Sequence, residues 1–235
     1  MDKEDIINKI FKIQEDLIKD KFAKESACNE GIALINVLDE DIKKNSIRLI
    51  ILDALIELGR EEDYTKCIEA LKEDVDYHNQ LAGIQAQIRL QEIAGNISEE
   101  LKCIDNYLEV AKNNSANDAL ASGYLNKGQT LYKNKEFMPS LECYERGISI
   151  AEQTHNLSLV SAYKYYIGLV LFDLGHWELG MAKLREASEL AIGQHCIGIA
   201  KQSEIMRAYN MLESGDEESS KLILKTWVDN FKEIL

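Results

Sequence analysis

The sequence predicts an all-α solenoid of about six antiparallel helix pairs, and three observations carry that expectation. The 235 residues include one proline and thirteen glycines, and apolar residues recur at i, i+3, i+4 and i+7 with almost no strand-type alternation. Four of the five cysteines open a Cys-x-acid triplet: Cys28-Asn29-Glu30, Cys67-Ile68-Glu69, Cys103-Ile104-Asp105 and Cys143-Tyr144-Glu145, at spacings of 39, 36 and 40 residues. A further step of 40 from Cys143 reaches Lys183, in a segment with the same apolar pattern. Gly59, Gly95, Gly175 and Gly215 each lie eight residues before such a register position, and Lys135 takes that place in the remaining unit. A fixed period of this length signals a stacked repeat, and glycine suits the left-handed residue that follows a helix C-terminus.

Reading outward from these markers gives helices near residues 3–21, 24–38, 40–58, 61–74, 77–94, 98–113, 116–134, 137–154, 157–174, 177–194, 197–213 and 217–234. Ser98, followed by Glu99 and Glu100, reads as an N-cap, as does Ser115 with Asp118 three residues on. Pro139 suits a first helical turn, and AKNNSAND and EQTHNLS read as polar turns. The expected organisation is one repeat domain over 1–235: a divergent N-terminal pair at 1–39, the clearest repeats at 40–215 and a capping helix at 216–235.

The clearest unit, YLNKGQTLYKNKEFMPSLECYERG, places Tyr124, Gly128, Leu131, Ser140, Tyr144 and Gly147 where the tetratricopeptide (TPR) pattern has its aromatic, small and packing residues. The next unit supplies Ile167, Gly168, Leu171, Gly175, Gly180, Leu184 and Ala187. The chain resembles the TPR superfamily on these residues. Its units run to about 40 residues instead of the usual 34 and lack the closing proline. That longer form is similar to the repeats of Rap- and PlcR-like bacterial peptide-pheromone receptors and MalT-like regulators. The resemblance implies a right-handed solenoid whose first helices line a concave groove. In the 40-residue register, the inward positions fall on Gln85 and Arg89, then Asn126, Gln129 and Tyr132, then Tyr165 and Tyr166, then Tyr209, with Ser122, Leu125, Leu169, Phe172, Ile205 and Leu212 beside them. Amides can bond both the N–H and the C=O of an extended peptide, and tyrosine joins apolar area to a polar tip.

Composition narrows the functional classes. Apolar residues make up 46% and charged residues 29%, enough to fill a core and too apolar for a disordered chain. No stretch reaches the roughly 18 apolar residues of a membrane span, and the N-terminal MDKEDIINKIFK carries acids where a signal peptide has a basic region; a cytoplasmic location is expected. Lys+Arg 27 against Asp+Glu 41 gives a net charge of −14, which repels nucleic acid and anionic membranes and favours a neutral or basic partner.

No catalytic constellation is visible. The five cysteines show no CxxC, and their equivalent placement suggests free thiols in one packing layer, with Cys28 and Cys196 less constrained. His78, His155, His176 and His195 lack i, i+4 partners of metal-site type. Acid runs such as Glu61-Glu62 and Asp216-Glu217-Glu218 sit at helix N-termini, where the macrodipole accounts for them. Neither cofactor nor metal is expected, and no enzyme activity.

The resemblance therefore implies a scaffold or adaptor that binds a protein segment or short peptide in its groove. The part of the chaperone-tail clamp that can be checked is missing: Lys and Asn do not stand near Leu49 and Asp53. One alternative is a peptide-effector sensor related to pheromone receptors but without a DNA-binding domain, since 1–39 shows no helix-turn-helix. Another is a self-assembling unit that pairs through its N-terminal helix, where Ile6, Ile10, Ile13 and Leu17 form one stripe and Ile7, Phe11 and Ile18 an adjoining one.

Overall fold

The computed structural model describes residues 3–232, and every regular element among them is a helix. In order these are α1 (Lys3–Leu17), α2 (Lys21–Val37), α3 (Asp41–Glu57), α4 (Glu61–Lys72), α5 (Tyr77–Ala94), α6 (Ile97–Asn113), α7 (Asn117–Lys133), α8 (Phe137–Gln153), α9 (Leu157–Asp173), α10 (Trp177–Gly193), α11 (Ile197–Glu213) and α12 (Glu217–Lys232). The end expected for the last helix, at 234, lies outside the described residues.

The largest boundary change is local chemistry. The first helix stops at Leu17 rather than near residue 21, because the Asp20 carboxylate accepts the Ala23 N–H at 2.9 Å and starts α2. Two expected caps are also corrected. Asn96, not Ser98, accepts the Glu99 N–H, and Ser115 is not a cap because it sits in the turn before α7 with φ 54°. Asp76, Asn156 and Asp216 do cap their helices, through bonds of 2.9–3.1 Å from His78, Leu159 and Ser219 N–H groups.

From α5 onward the turns are strictly periodic. Residues 95, 115, 135, 155, 175, 195 and 215 all have φ between 54° and 86°, a spacing of twenty. At each, the N–H of the next residue returns to the carbonyl five positions back, from Asn96 to Gln91 at 3.0 Å through Asp216 to Met211 at 2.9 Å. This is the Schellman motif. The 40-residue repeat is thus two 20-residue helix-and-turn modules. His155 and His195 fill left-handed turn positions, a place where histidine is enriched among non-glycine residues.

The helices gather into two compact units, Met1–Val110 and Ala111–Leu235. In the first, successive helices from α1 to α5 pack in sequence, and α1 touches α3 as α3 touches α5. Ile13, Cys28, Ile51, Leu55, Tyr64 and Leu71 fill its core. The buried Tyr64 hydroxyl donates to the Ala86 carbonyl at 2.7 Å, joining α4 to α5. Asn45 of α3 and Asn79 of α5 both donate to the Asp74 carboxylate, which backbone N–H donation from Asp76, above all, holds below its usual range. On α1, Ile6 and Ile13 are buried, while Ile7 and Phe11 are 43% and 61% exposed; Ile18, expected on the same helix, lies in the turn after it at 86% exposed, and Phe22 of α2 is 82% exposed.

In the second unit α7–α8, α9–α10 and α11–α12 form antiparallel pairs. The first helices also touch, α7 with α9 and α9 with α11, whereas among the described residues α8 and α10 do not. Small residues set the spacing within each pair. Ser140 Oγ donates to the Gly128 carbonyl at 2.8 Å, and forty residues later a Cβ on Gly180 would lie 3.1 Å from the Gly168 carbonyl. Over this seam lie large side chains. A Cβ on Gly128 would overlap the Tyr144 ring, and one on Gly147 would overlap the Tyr163 hydroxyl. Tyr144 and Tyr163 are wholly buried, edge to face with centroids 6.1 Å apart, and the Tyr163 hydroxyl donates to the Ala121 carbonyl.

Cys28 and Cys67 belong to the first unit's core, so Cys28 is more constrained than its sequence position suggests. Burial pushes the Cys67 thiol up to about 11. At pH 8 its thiolate fraction is then on the order of one in a thousand. Alkylation followed by peptide mass mapping should therefore label Cys28, which is 0% exposed, and Cys67 last among the cysteines and the half-buried Cys196 well before them; equal rates would contradict the packing.

The seam makes a second prediction. Gly128→Ala should lower the unfolding free energy by about 1–3 kcal/mol through overpacking against Tyr144. Gly198→Ala, where a Cβ meets nothing within 4 Å, should be neutral or stabilise by up to about 1 kcal/mol. Thermal melts of the two variants would show opposite or clearly unequal shifts if the seam is as described.

Candidate binding face

The expected groove residues fall in both units. In the first, Gln85 and Arg89 are exposed on α5, one turn apart. Arg89 pairs with Asp53 of α3, both partners well exposed, so its charge is partly answered within the chain at little energetic consequence. Asp53 stands where the chaperone-type clamp would place a polar ligand contact, and here it serves Arg89.

In the second unit α7, α9 and α11 lie side by side and carry the remaining expected residues. Asn126, Gln129 and Tyr132 are half-buried on α7. The Tyr132 hydroxyl donates to the Asp173 carboxylate of α9 at 2.6 Å, and its ring leans on Phe137 with centroids 5.8 Å apart. Burial, then the Asp173 carboxylate, raises the Tyr132 hydroxyl far above its ordinary value, so it stays a neutral donor. Gln129 hydrogen-bonds the Tyr166 hydroxyl. These side chains therefore tie α7 to α9, and a ligand would meet only their remaining donor and acceptor capacity; an amide has two of each.

Tyr165 and Tyr166 are separated by the helix itself. Consecutive residues point about 100° apart, and the structure buries Tyr165 to 8% exposure against Leu169, Leu184 and Ala187 while Tyr166 stays half-buried. Their rings meet edge to face at 5.0 Å, and Tyr166 stacks on Tyr144 at 5.7 Å. Tyr165 belongs to the floor beneath the face; burial raises its hydroxyl, as it does that of Tyr166. On α11 the arrangement is more open. Ile205, Tyr209 and Leu212 are 44%, 53% and 51% exposed, and their spacing of four and three sets them on one helix face.

The face thus offers an aromatic and aliphatic strip with a few tethered polar groups, and no cluster of three metal-ligating side chains occurs among the described residues. The sequence register found the aligned first helices. It did not reveal which polar groups are engaged internally, because Asp53 and Asp173 lie a whole repeat away from the residues they bind.

No protein family's sequence profile matches the chain, and no curated protein matches it in sequence. Solved structures match in fold. One is a signal transduction ATPase with numerous domains, with a tetratricopeptide repeat sensor, from Pyrococcus horikoshii: TM-score 0.74 and 15% identity over 89% of this chain and 33% of that one. The apo form of RapI gives 0.70 and 12% over 98% of each chain. BtubC from P. vanneervenii gives 0.69 and 11% over 94% of this chain and 89% of that one. This chain spans a third of the length of the ATPase and nearly all of RapI. At such identities the likeness is one of fold, and the fold is the TPR-like α-solenoid that the repeat predicts.

Proposed function

We propose that this chain is a non-catalytic scaffold that binds an extended polypeptide on the face formed by α7, α9 and α11. The observation that carries the reading is the strip of Ile205, Tyr209 and Leu212, each roughly half exposed on one face of α11, beside a helix that presents Tyr166 and next to it one that presents Gln129 and Asn126. An exposed aliphatic and aromatic strip next to amides suits a chain that must be gripped through both side chains and backbone. The net charge of −14 favours a neutral or basic segment. The sensor of the signalling ATPase and RapI share the fold, which makes an effector peptide a natural form of this ligand.

The test is a peptide-display selection against the wild-type protein, followed by titration of the selected peptides. Tyr209→Ala should weaken them by about tenfold or more while leaving the melting temperature within a few degrees, because Tyr209 is exposed. Tyr165→Ala would not serve, since it empties a core position. Undiminished binding by Tyr209→Ala would remove the face from consideration.

A second reading has its own observation. Ile7 and Phe11 are exposed on α1, and Ile18 and Phe22 are exposed at the turn and helix that follow it, as self-association would require. If these residues join two copies, light scattering at micromolar concentration should give twice the 26.7 kDa chain mass, and Phe11→Glu should return the monomer. A wild-type monomer would end this reading and leave the first intact.

A further inference from the structure

A cavity of about 510 Å³ opens between α10 and α11, lined by Trp177, Met181, Arg185, Arg207, Met211 and Ser214, with Glu178, Ala182 and Asn210 completing it. It lies on the other side of α11 from the binding face. At 100° per residue, Arg207, Asn210, Met211 and Ser214 point about half a turn away from Ile205, Tyr209 and Leu212. The volume is in the middle of the range for small-ligand sites and exceeds what one side chain would fill.

The lining repeats one arrangement twice. Met181 and Arg185 are one turn apart on α10, and Arg207 and Met211 are one turn apart on α11. The helices are antiparallel neighbours, so the methionines share one level of the cavity and the arginines the next. Neither cation is fully used. Arg185 is exposed and has no ion partner among the described residues. Arg207 gives Nη1 to both Glu204 carboxylate oxygens at 2.8 and 2.9 Å, and its Nη2 makes no hydrogen bond among the described residues. Like charges at one level repel. That cost falls when an anionic oxygen group enters.

We propose that this cavity receives the free carboxyl terminus of a polypeptide whose last residue is apolar. In such a residue the carboxylate and the apolar side chain branch from a single Cα, which matches a cation and a methionine one helical turn apart. The carboxylate takes the Arg207 Nη2 and the Arg185 guanidinium, groups suited to it. The side chain lies on Met181, Met211 and Trp177, where the flexible thioethers accept several shapes. Glu178, about 10 Å along α10 from Arg185, faces the chain leading in and can accept its N–H groups. An internal Asp or Glu brings no apolar group on the same residue, and a free small acid leaves most of the cavity empty.

The probes are acetylated tetrapeptides ending in Leu, Met or Phe, each as the free acid and as the carboxamide, titrated by calorimetry into the full chain. The free acids should bind, the carboxamides should bind about tenfold or more weakly, and Arg185→Gln should erase that difference. Tyr209→Ala, on the opposite face, should change neither, so failure here and failure of the binding face are distinguishable. Equal binding of acid and amide, or an unaffected Arg185→Gln, would overturn the carboxylate contact. Acetyl-leucine binding as tightly as the tetrapeptides would replace the chain end with a small acid, and no heat from any free acid at millimolar concentration would overturn the site.

Discussion

The spacing between helices in the second unit depends on one type of contact, an aromatic or leucine side chain set directly over a helix that has no Cβ at that point. Tyr144 lies over Gly128, the Tyr163 hydroxyl over Gly147, and Leu184 over Gly168. Because the ring occupies the volume a methyl group would need, the helices approach closely enough for the Ser140 hydroxyl to reach the Gly128 carbonyl. Interiors are packed to crystal-like density, so neither partner of such a contact can change size alone. The first helices then touch one another while the second helices α8 and α10 stand apart. That asymmetry draws the first helices of a TPR-like stack together on one face, and so the binding face rests on glycines that touch no ligand.

Much of this was legible in the sequence because a repeat announces the same physical demand several times. Cysteines and glycines at a common register located every helix pair, and the small residues of the TPR pattern fell where the backbones meet. What stayed hidden was the finer period. Glycine marks only three of the seven turns from 95 to 215, since Ser115, Lys135, His155 and His195 adopt the same left-handed conformation at some cost. Residue type reports the preference for that conformation, and the Schellman hydrogen bonds impose it. Misplaced caps have the same origin: Asn96 and Ser98 are both good caps, and the turn geometry set by Gly95 selects Asn96.

The candidate face was legible by position and less so by side-chain state. Register placed Gln129, Tyr132 and Tyr166 on adjacent helices, but a pattern with one residue's resolution along the helix cannot separate Tyr165 from Tyr166, whose burial differs because they point 100° apart. Nor does periodicity show that Tyr132 binds Asp173 or that Arg89 binds Asp53. Both acids stand 36 to 41 residues away, about one repeat, the distance at which a first helix meets its neighbour. The α10–α11 cavity was invisible for a related reason. It exists only through the antiparallel match of Met181–Arg185 with Arg207–Met211, which neither helix displays alone.

The charge of the whole chain and the chemistry of that cavity pull in opposite directions, and distance decides between them. A net charge of −14 repels an approaching carboxylate, but screening confines that repulsion to about 10 Å at 0.1 M salt. Inside the cavity, two guanidiniums act at contact distance across apolar walls, where a charge-assisted hydrogen bond is roughly twice as strong as a neutral one. Long-range repulsion therefore slows arrival and short-range bonding governs departure, so the acidic surface selects against free anions in general while sparing one that brings an apolar group to bury. On the opposite face of α11 the same charge works with the ligand, drawing neutral or basic segments toward Ile205, Tyr209 and Leu212. One helix can in this way present two surfaces of different preference, because a solenoid layer is a single helix pair thick and each of its helices can be solvated on opposite sides.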